Sequence, residues 1–239
     1  MRPTTLTGRY GSVILIVLFA LVLQRPWNAR ANSTDTPEEQ VCDPIADYYL
    51  GMEDYPEAIR LHELVIKRHP DNALAHYHLG FALGLMGNHK RELAEYETAI
   101  NLGLSDWDLF LNLGLLYLDT GQYHTATKVL QLAALLAPDR PEPHFNLGLA
   151  YEKSGMLPEA EQEMLVSLSL DPTQIDARNS LGVIYAEEGD YNRARDEWTD
   201  LEKSDPGYSP ARQNLALLRQ VQQGGIGETP PSDAFAHTR

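Results

Sequence analysis

The chain has 239 residues, 43% of them hydrophobic and 22% charged, a net charge of −15 at pH 7, and a single cysteine, Cys42. That length and apolar content suffice for a folded core, either one compact domain or a repeat array behind a short targeting segment. The acidic balance disfavours nucleic-acid phosphates as partners, and one cysteine excludes an intrachain disulfide framework and a cysteine-based zinc cluster.

Residues 1–31 differ in composition from the rest. Arg2 and Arg9 frame a basic start, the run SVILIVLFALVL (12–23) is uninterruptedly apolar, Pro26 breaks it, and Ala29-Arg30-Ala31 has the small-x-small pattern of a signal-peptidase site. The apolar run spans roughly 18 Å as a helix, short of the ~30 Å hydrocarbon core of a bilayer. A cleaved signal peptide is expected, with an uncleaved membrane anchor as the alternative because Arg25 and Arg30 are unusual beside a cleavage site. The protein is then exported, periplasmic or secreted, or else anchored with its folded part outside the cytoplasm. Without this segment, 15 basic residues face 34 acidic ones. Residues 32–38 read as a linker, and Glu39-Gln40-Val41 before Cys42 lacks a lipoprotein signal.

From residue 39 the sequence repeats. Gly80, Gly114, Gly148 and Gly182 recur every 34 residues, each preceded by a leucine (Leu79, Leu113, Leu147, Leu181). Leu83, Tyr117, Tyr151 and Tyr185 follow three residues later, then Gly87, Gly121, Gly155 and Gly189. Ala126, Ala160 and Ala194 come next, and Pro70, Pro138, Pro172 and Pro206 close units. Within one unit His144, Leu147 and Tyr151 share a face of one helix, and Ala160, Met164 and Ser167 share a face of a second. Gly155 supplies the turn, Pro158 sits in the first turn of the second helix, and Gly148 and Ala160 are small where the two helices approach closely. Five units result: 39–72, 73–106, 107–140, 141–174 and 175–208.

In the first unit Asp43 reads as an N-cap with Pro44 at the first helical position, and Tyr49, Tyr55 and Ala58 keep the register. In the second, Glu92 takes the alanine place and Leu104 the proline place. Residues 209–223 repeat the first helix only, with Leu215 and Ala216 in register, as a cap over the last apolar face. Residues 224–239 are rich in Gly and Pro and are expected to be disordered.

This pattern resembles the tetratricopeptide repeat, without insertion over residues 39–208. The resemblance implies an all-α, right-handed α-solenoid of five 34-residue helix–turn–helix repeats plus a C-terminal capping helix. It also implies a concave surface, lined by the first helices, that binds a protein or peptide segment.

On that surface the residues two before each signature glycine are His78, Asn112, Asn146 and Ser180, with Asn214 in the cap. An amide ladder of this kind can grip a guest backbone through its donors and acceptors; the competing reading is that these amides bond neighbouring helices. Beside it, Tyr77, Phe81, Leu111, Leu115, Phe145, Leu149 and Val183 form an apolar strip, part of which must pack against the preceding repeat. The cationic clamp for a C-terminal carboxylate found in the family is absent, since Asp108, Glu142, Asp176 and Glu187 occupy its places and Lys153 stands nearly alone.

His62, His69, His76, His78 and His89 crowd the first two units. His76 and His78 are two apart and face different directions on a helix, and His76, like His144, holds a place usually filled by a bulky core residue. No metal site and no other cofactor is expected. Cys42 holds the matching core-type place. Without a phosphate-binding loop, nucleophile elbow or His-Glu metal motif, the chain is not expected to be an enzyme. The expected function is an extracytoplasmic adaptor or scaffold in an envelope-assembly, secretion or maturation complex. Its partner is a protein segment, neither nucleic acid nor a small-molecule substrate, and it meets the membrane only through an uncleaved N-terminal segment. The alternative is a self-assembling structural protein, and an outside possibility is a histidine-based metal carrier or enzyme.

Overall fold

The computed structural model describes residues 43–223 and Phe235. The expected signal peptide, linker, Cys42 and most of the tail lie outside the described residues. The chain divides into two compact units, one ending at Leu104 and the other beginning at Ser105. The regular structure among the described residues is eleven α-helices. The first unit contains α1 (Pro44–Gly51), α2 (Tyr55–Arg68), α3 (Ala73–Leu85) and α4 (His89–Asn101). The second contains α5 (Trp107–Asp119), α6 (Tyr123–Leu136), α7 (Pro141–Lys153), α8 (Leu157–Leu170), α9 (Ile175–Glu187), α10 (Tyr191–Ser204) and α11 (Ser209–Gln222). Each unit is a stack of antiparallel hairpins, the α-solenoid class, and none of the described helices is long and apolar enough to cross a membrane.

Local chemistry sets the boundaries. Asp43 caps α1 as expected: its Oδ1 accepts the Ile45 N–H at 2.9 Å, and Pro44 sits in the first turn. Asn72 does the same for α3, accepting from Ala75 at 3.0 Å. Between the helices of a hairpin, Gly87, Gly121, Gly155 and Gly189 have φ of 74°, 73°, 74° and 81°. The residue after each donates its N–H back to the carbonyl of Leu83, Tyr117, Tyr151 or Tyr185, at 2.8–2.9 Å. This closure satisfies carbonyls left over at the helix end and needs a left-handed residue, which glycine adopts without a Cβ clash. In the first repeat Glu53 takes that conformation, with φ 60°.

The signature glycines have a different reason from the one expected. The nearest atoms there belong to a large side chain of the second helix, and only at Gly80 does a second-helix backbone atom, the Glu92 carbonyl, also come within 3.2 Å of where a Cβ would sit. A Cβ on Gly80 would meet the Tyr96 ring at 2.7 Å, on Gly114 Leu130 at 2.5 Å, on Gly148 Met164 at 2.9 Å, and on Gly182 Trp198 at 2.5 Å. Those four large residues are fully buried, as are Ala58, Ala126, Ala160 and Ala194. In the first repeat the corresponding place holds a buried histidine, His62, and the glycine place holds Ala46. Glu92, at an alanine place, is buried with its carboxylate against Gly84, and its Oε2 lies 2.9 Å from His89 Nδ1.

A second periodic device is a clasp. His76 Nδ1 lies 2.6 Å from Glu95 Oε2 and its Nε2 lies 3.1 Å from the Pro70 carbonyl. His144 repeats this with Glu163 and Pro138, at 2.7 and 3.3 Å, and Arg178 with Glu197 and Pro172, at 3.3 and 3.5 Å. Each ties a first helix to the second helix of its own repeat and to the end of the preceding one, so His76 and His144 are polar clasps where bulky core residues were expected.

Candidate functional site

The expected amide ladder does not stand free. His78, Asn112, Asn146, Ser180 and Asn214 are all buried. Asn214 Nδ2 donates to Asn179 Oδ1 at 3.1 Å, a bond between neighbouring first helices that the sequence offered as the competing reading. Asn146 Nδ2 donates to the Glu142 carbonyl of its own helix at 2.8 Å. The physical cause is crowding, because a first helix inside the stack touches its own second helix, the preceding second helix and the neighbouring first helix. Tyr77, Leu111 and Val183 are buried for the same reason, with the Tyr77 ring 5.9 Å from that of Tyr96.

Four residues of the apolar strip stay half-buried: Phe81, Leu115, Phe145 and Leu149. Phe81 packs against the Leu50, Ala58 and Ala82 core of the first unit. In the second unit Leu115 on α5 and Phe145 and Leu149 on α7 are accompanied at helical spacing by Asp108 and Glu142, so this face is apolar with carboxylates beside it. Near the ends of α7 and α9 the acidity has a measurable consequence. Burial, reinforced by Glu152 and offset in part by Lys153, pushes the Glu187 carboxyl up to about 7. Lys153 Nζ is engaged by Glu152 Oε1 at 2.9 Å.

The first unit holds a constellation that the sequence alone did not reveal. Asp47 on α1, His62 on α2 and His78 on α3 bring one carboxylate oxygen and two imidazole nitrogens within 4.8 Å of one another. Asp47 Oδ1 is 2.7 Å from His78 Nδ1 and 3.8 Å from His62 Nε2. The two rings meet edge to face, with centroids 5.4 Å apart. Burial, with His78 adding to it against the opposing pull of Asp47 and Asp43, pushes His62 down to about 4, so its imidazole is neutral at physiological pH. Imidazole nitrogens and a carboxylate are the donor types that hold divalent transition ions. His69 and His89 do not join this group.

Fold and periodicity together define a helical-hairpin repeat protein. The chain carries tetratricopeptide repeats: residues 44–105 match a family model described as tetratricopeptide repeat, and residues 114–155 match one described as TPR repeat. No curated protein matches the sequence. Among solved structures, MamA from Desulfovibrio magneticus RS-1 is similar at 24% identity and a TM-score of 0.63, over 67% of this chain and 90% of that one. YrrB, described as a TPR protein with an unusual peptide-binding site, is similar at 22% identity and a TM-score of 0.66, over 78% of this chain and 94% of that one. PilF of Pseudomonas aeruginosa is similar at 22% identity and a TM-score of 0.64, over 75% of this chain and 82% of that one. At these identities the likeness is one of fold.

Proposed function

We propose that this protein is an exported adaptor that holds a basic, apolar segment of a partner protein against the first helices of its second unit, within an envelope-assembly, secretion or maturation complex. The carrying observation is the half-buried row Leu115, Phe145 and Leu149 with Asp108 and Glu142 on the same helix faces. Apolar area left partly open on an acidic protein selects a guest with aliphatic or aromatic anchors and Lys or Arg between them. Export rests on the basic start, apolar run and small-x-small site of residues 1–31. A peptide-binding site in YrrB, a neighbour in fold, supports the same use of this scaffold.

The test is crosslinked co-purification from the native envelope with the full chain and with Phe145→Ala/Leu149→Ala. The expected result is at least a tenfold loss of one basic partner, more so at high salt, with unchanged helicity by circular dichroism. Undiminished recovery of that partner by the double variant overturns the assignment of this face.

One observation favours a second reading, self-assembly through the first repeat. Ile45 and Tyr48 on α1 and Met52 at its C-cap are 59%, 61% and 62% exposed. Light scattering over a range of concentrations, on the full chain and on Tyr48→Glu, separates a monomeric adaptor from a stacking protein.

A further inference from the structure

The repeat supplies its own reference for what is unusual in it. At the place of Asp47 the other four repeats have Phe81, Leu115, Leu149 and Val183. At the place of His62 they have Tyr96, Leu130, Met164 and Trp198. At the place of His78 the following repeats and the cap have Asn112, Asn146, Ser180 and Asn214. Three independent departures, each toward a metal-ligating side chain, lie on three different helices and converge on one point. A core built like the other repeats would have apolar or aromatic residues at the first two places and a short amide or hydroxyl side chain at the third.

We propose that Asp47, His62 and His78 form a binding site for a divalent transition ion of the Zn²⁺ type, which pins the first repeat to the second. Bonds of about 2.0–2.1 Å in a tetrahedron place donor atoms about 3.3 Å apart. The separations of 2.7 and 3.8 Å from Asp47 Oδ1 bracket that value, and the two imidazole nitrogens lie within 4.8 Å of each other, so rotamer adjustments of about an ångström draw the three donors round one ion. His62 is wholly buried and His78 nearly so, while the Asp47 side chain is 31% exposed and marks the side open to solvent. On binding, His78 gives up its hydrogen bond to Asp47 and takes the tautomer that presents a lone pair to the ion. Two imidazoles disfavour Ca²⁺ and Mg²⁺, which take oxygen ligands.

The site also meets a mechanical need. α1 has only 8 residues, its turn carries Glu53 at positive φ, and its outward apolar side chains are exposed. An ion held by α1, α2 and α3 crosslinks all three. By contrast His76 and His144 each face one carboxylate and one backbone carbonyl, which makes a clasp and not a ligand set. This inference does not depend on the adaptor reading.

The experiment uses the full chain stripped with a chelator, titrated with Zn²⁺ by calorimetry and with Co²⁺ by visible absorption near neutral pH, with excess Mg²⁺ present to occupy acidic surface sites. Three variants accompany it: His62→Leu, which restores the residue type of Leu130; His78→Asn, which restores that of Asn112; and His144→Gln as a control. The wild type should bind one equivalent, with the intense d–d bands of four-coordinate Co²⁺. Both His62→Leu and His78→Asn should lose those bands and weaken Zn²⁺ by more than the roughly 10–100-fold that an outer-shell change causes. His144→Gln should match the wild type, and chelation should lower the melting temperature of the wild type but not of His62→Leu. Absence of stoichiometric binding by the wild type, or full Co²⁺ bands in either ligand variant, overturns the site. Circular dichroism reports folding, and should His62→Leu not fold, His78→Asn decides alone.

Discussion

At the scale of single residues, glycines that look alike in sequence differ in what they face. Gly182 lies under the indole of Trp198, whose Nε1 is held by the Asn179 carbonyl at 3.3 Å, so the ring cannot retreat. Gly148 lies under the end of Met164, whose Cε swings away easily. Replacing glycine by alanine inside a helix gains about 0.5–1 kcal/mol of backbone propensity, while overpacking a rigid neighbour costs about 1–3 kcal/mol. Gly182→Ala is therefore expected to destabilise the second unit by about 1–2 kcal/mol, and Gly148→Ala to change it by less than about 0.5 kcal/mol. Thermal melts of the two variants check this; equal losses would mean that the identity of the facing side chain does not matter. Gly148→Leu remains strongly destabilising, since Met164 cannot vacate the volume of a branched side chain.

At the scale of elements, α9 ends in Glu187, against the direction favoured by the helix dipole, and α7 brings Glu152 beside its terminal Lys153. The Glu187 carboxyl binds its proton more tightly in the folded chain, near pH 7, than in the unfolded one, near the ordinary 4.5, because of burial and then Glu152. A carboxyl raised in this way favours folding while it is protonated, and that contribution is lost as pH rises from about 4.5 through about 7. Glu187→Gln is expected to leave stability unchanged at the acid end and to raise it above pH 7 by about 1 kcal/mol, after discount for a half-exposed group. Denaturant titrations of both proteins across that range test the sign, and parallel curves would refute it. Elements also show where the sequence was legible. Hairpin boundaries, turn glycines and the Asp43–Pro44 cap follow from local chemistry and were readable. The inner face was not, because α3 buries six successive residues, Ala75 to Gly80, and a helix enclosed on several sides has no single apolar stripe to read. Asn214 looks like a free amide until Asn179 of the neighbouring helix is known. Asp47, His62 and His78 went unread in the sequence as a group, because only three-dimensional packing brings three helices' worth of sequence to one point.

At the scale of the whole molecule, stability is a sum over repeats and their interfaces, so the ends matter most. The first end is where the proposed ion site lies. At the other, Phe235, placed by composition in a disordered tail, is 3% exposed, and its ring centroid lies 5.4 Å from that of Trp198 in α10. Closing a loop of about a dozen residues costs on the order of 2 kcal/mol, and burying one phenylalanine returns about 1.5–3 kcal/mol. The two nearly cancel, so the contact contributes little net stability while changing the environment of one indole substantially. Phe235→Ala is expected to shift the melting midpoint by less than about 1 kcal/mol's worth, yet to move the Trp198 fluorescence to longer wavelength as water reaches the ring. The chain also contains Trp27 and Trp107, so the same change is made in a Trp198→Phe background, where the shift should vanish. A spectrum indifferent to Phe235→Ala would show that the tail does not rest on the last hairpin. A loss of several kcal/mol would show instead that Phe235 is part of the core of the second unit, and that the solenoid ends not at α11 but at the chain's last aromatic residue.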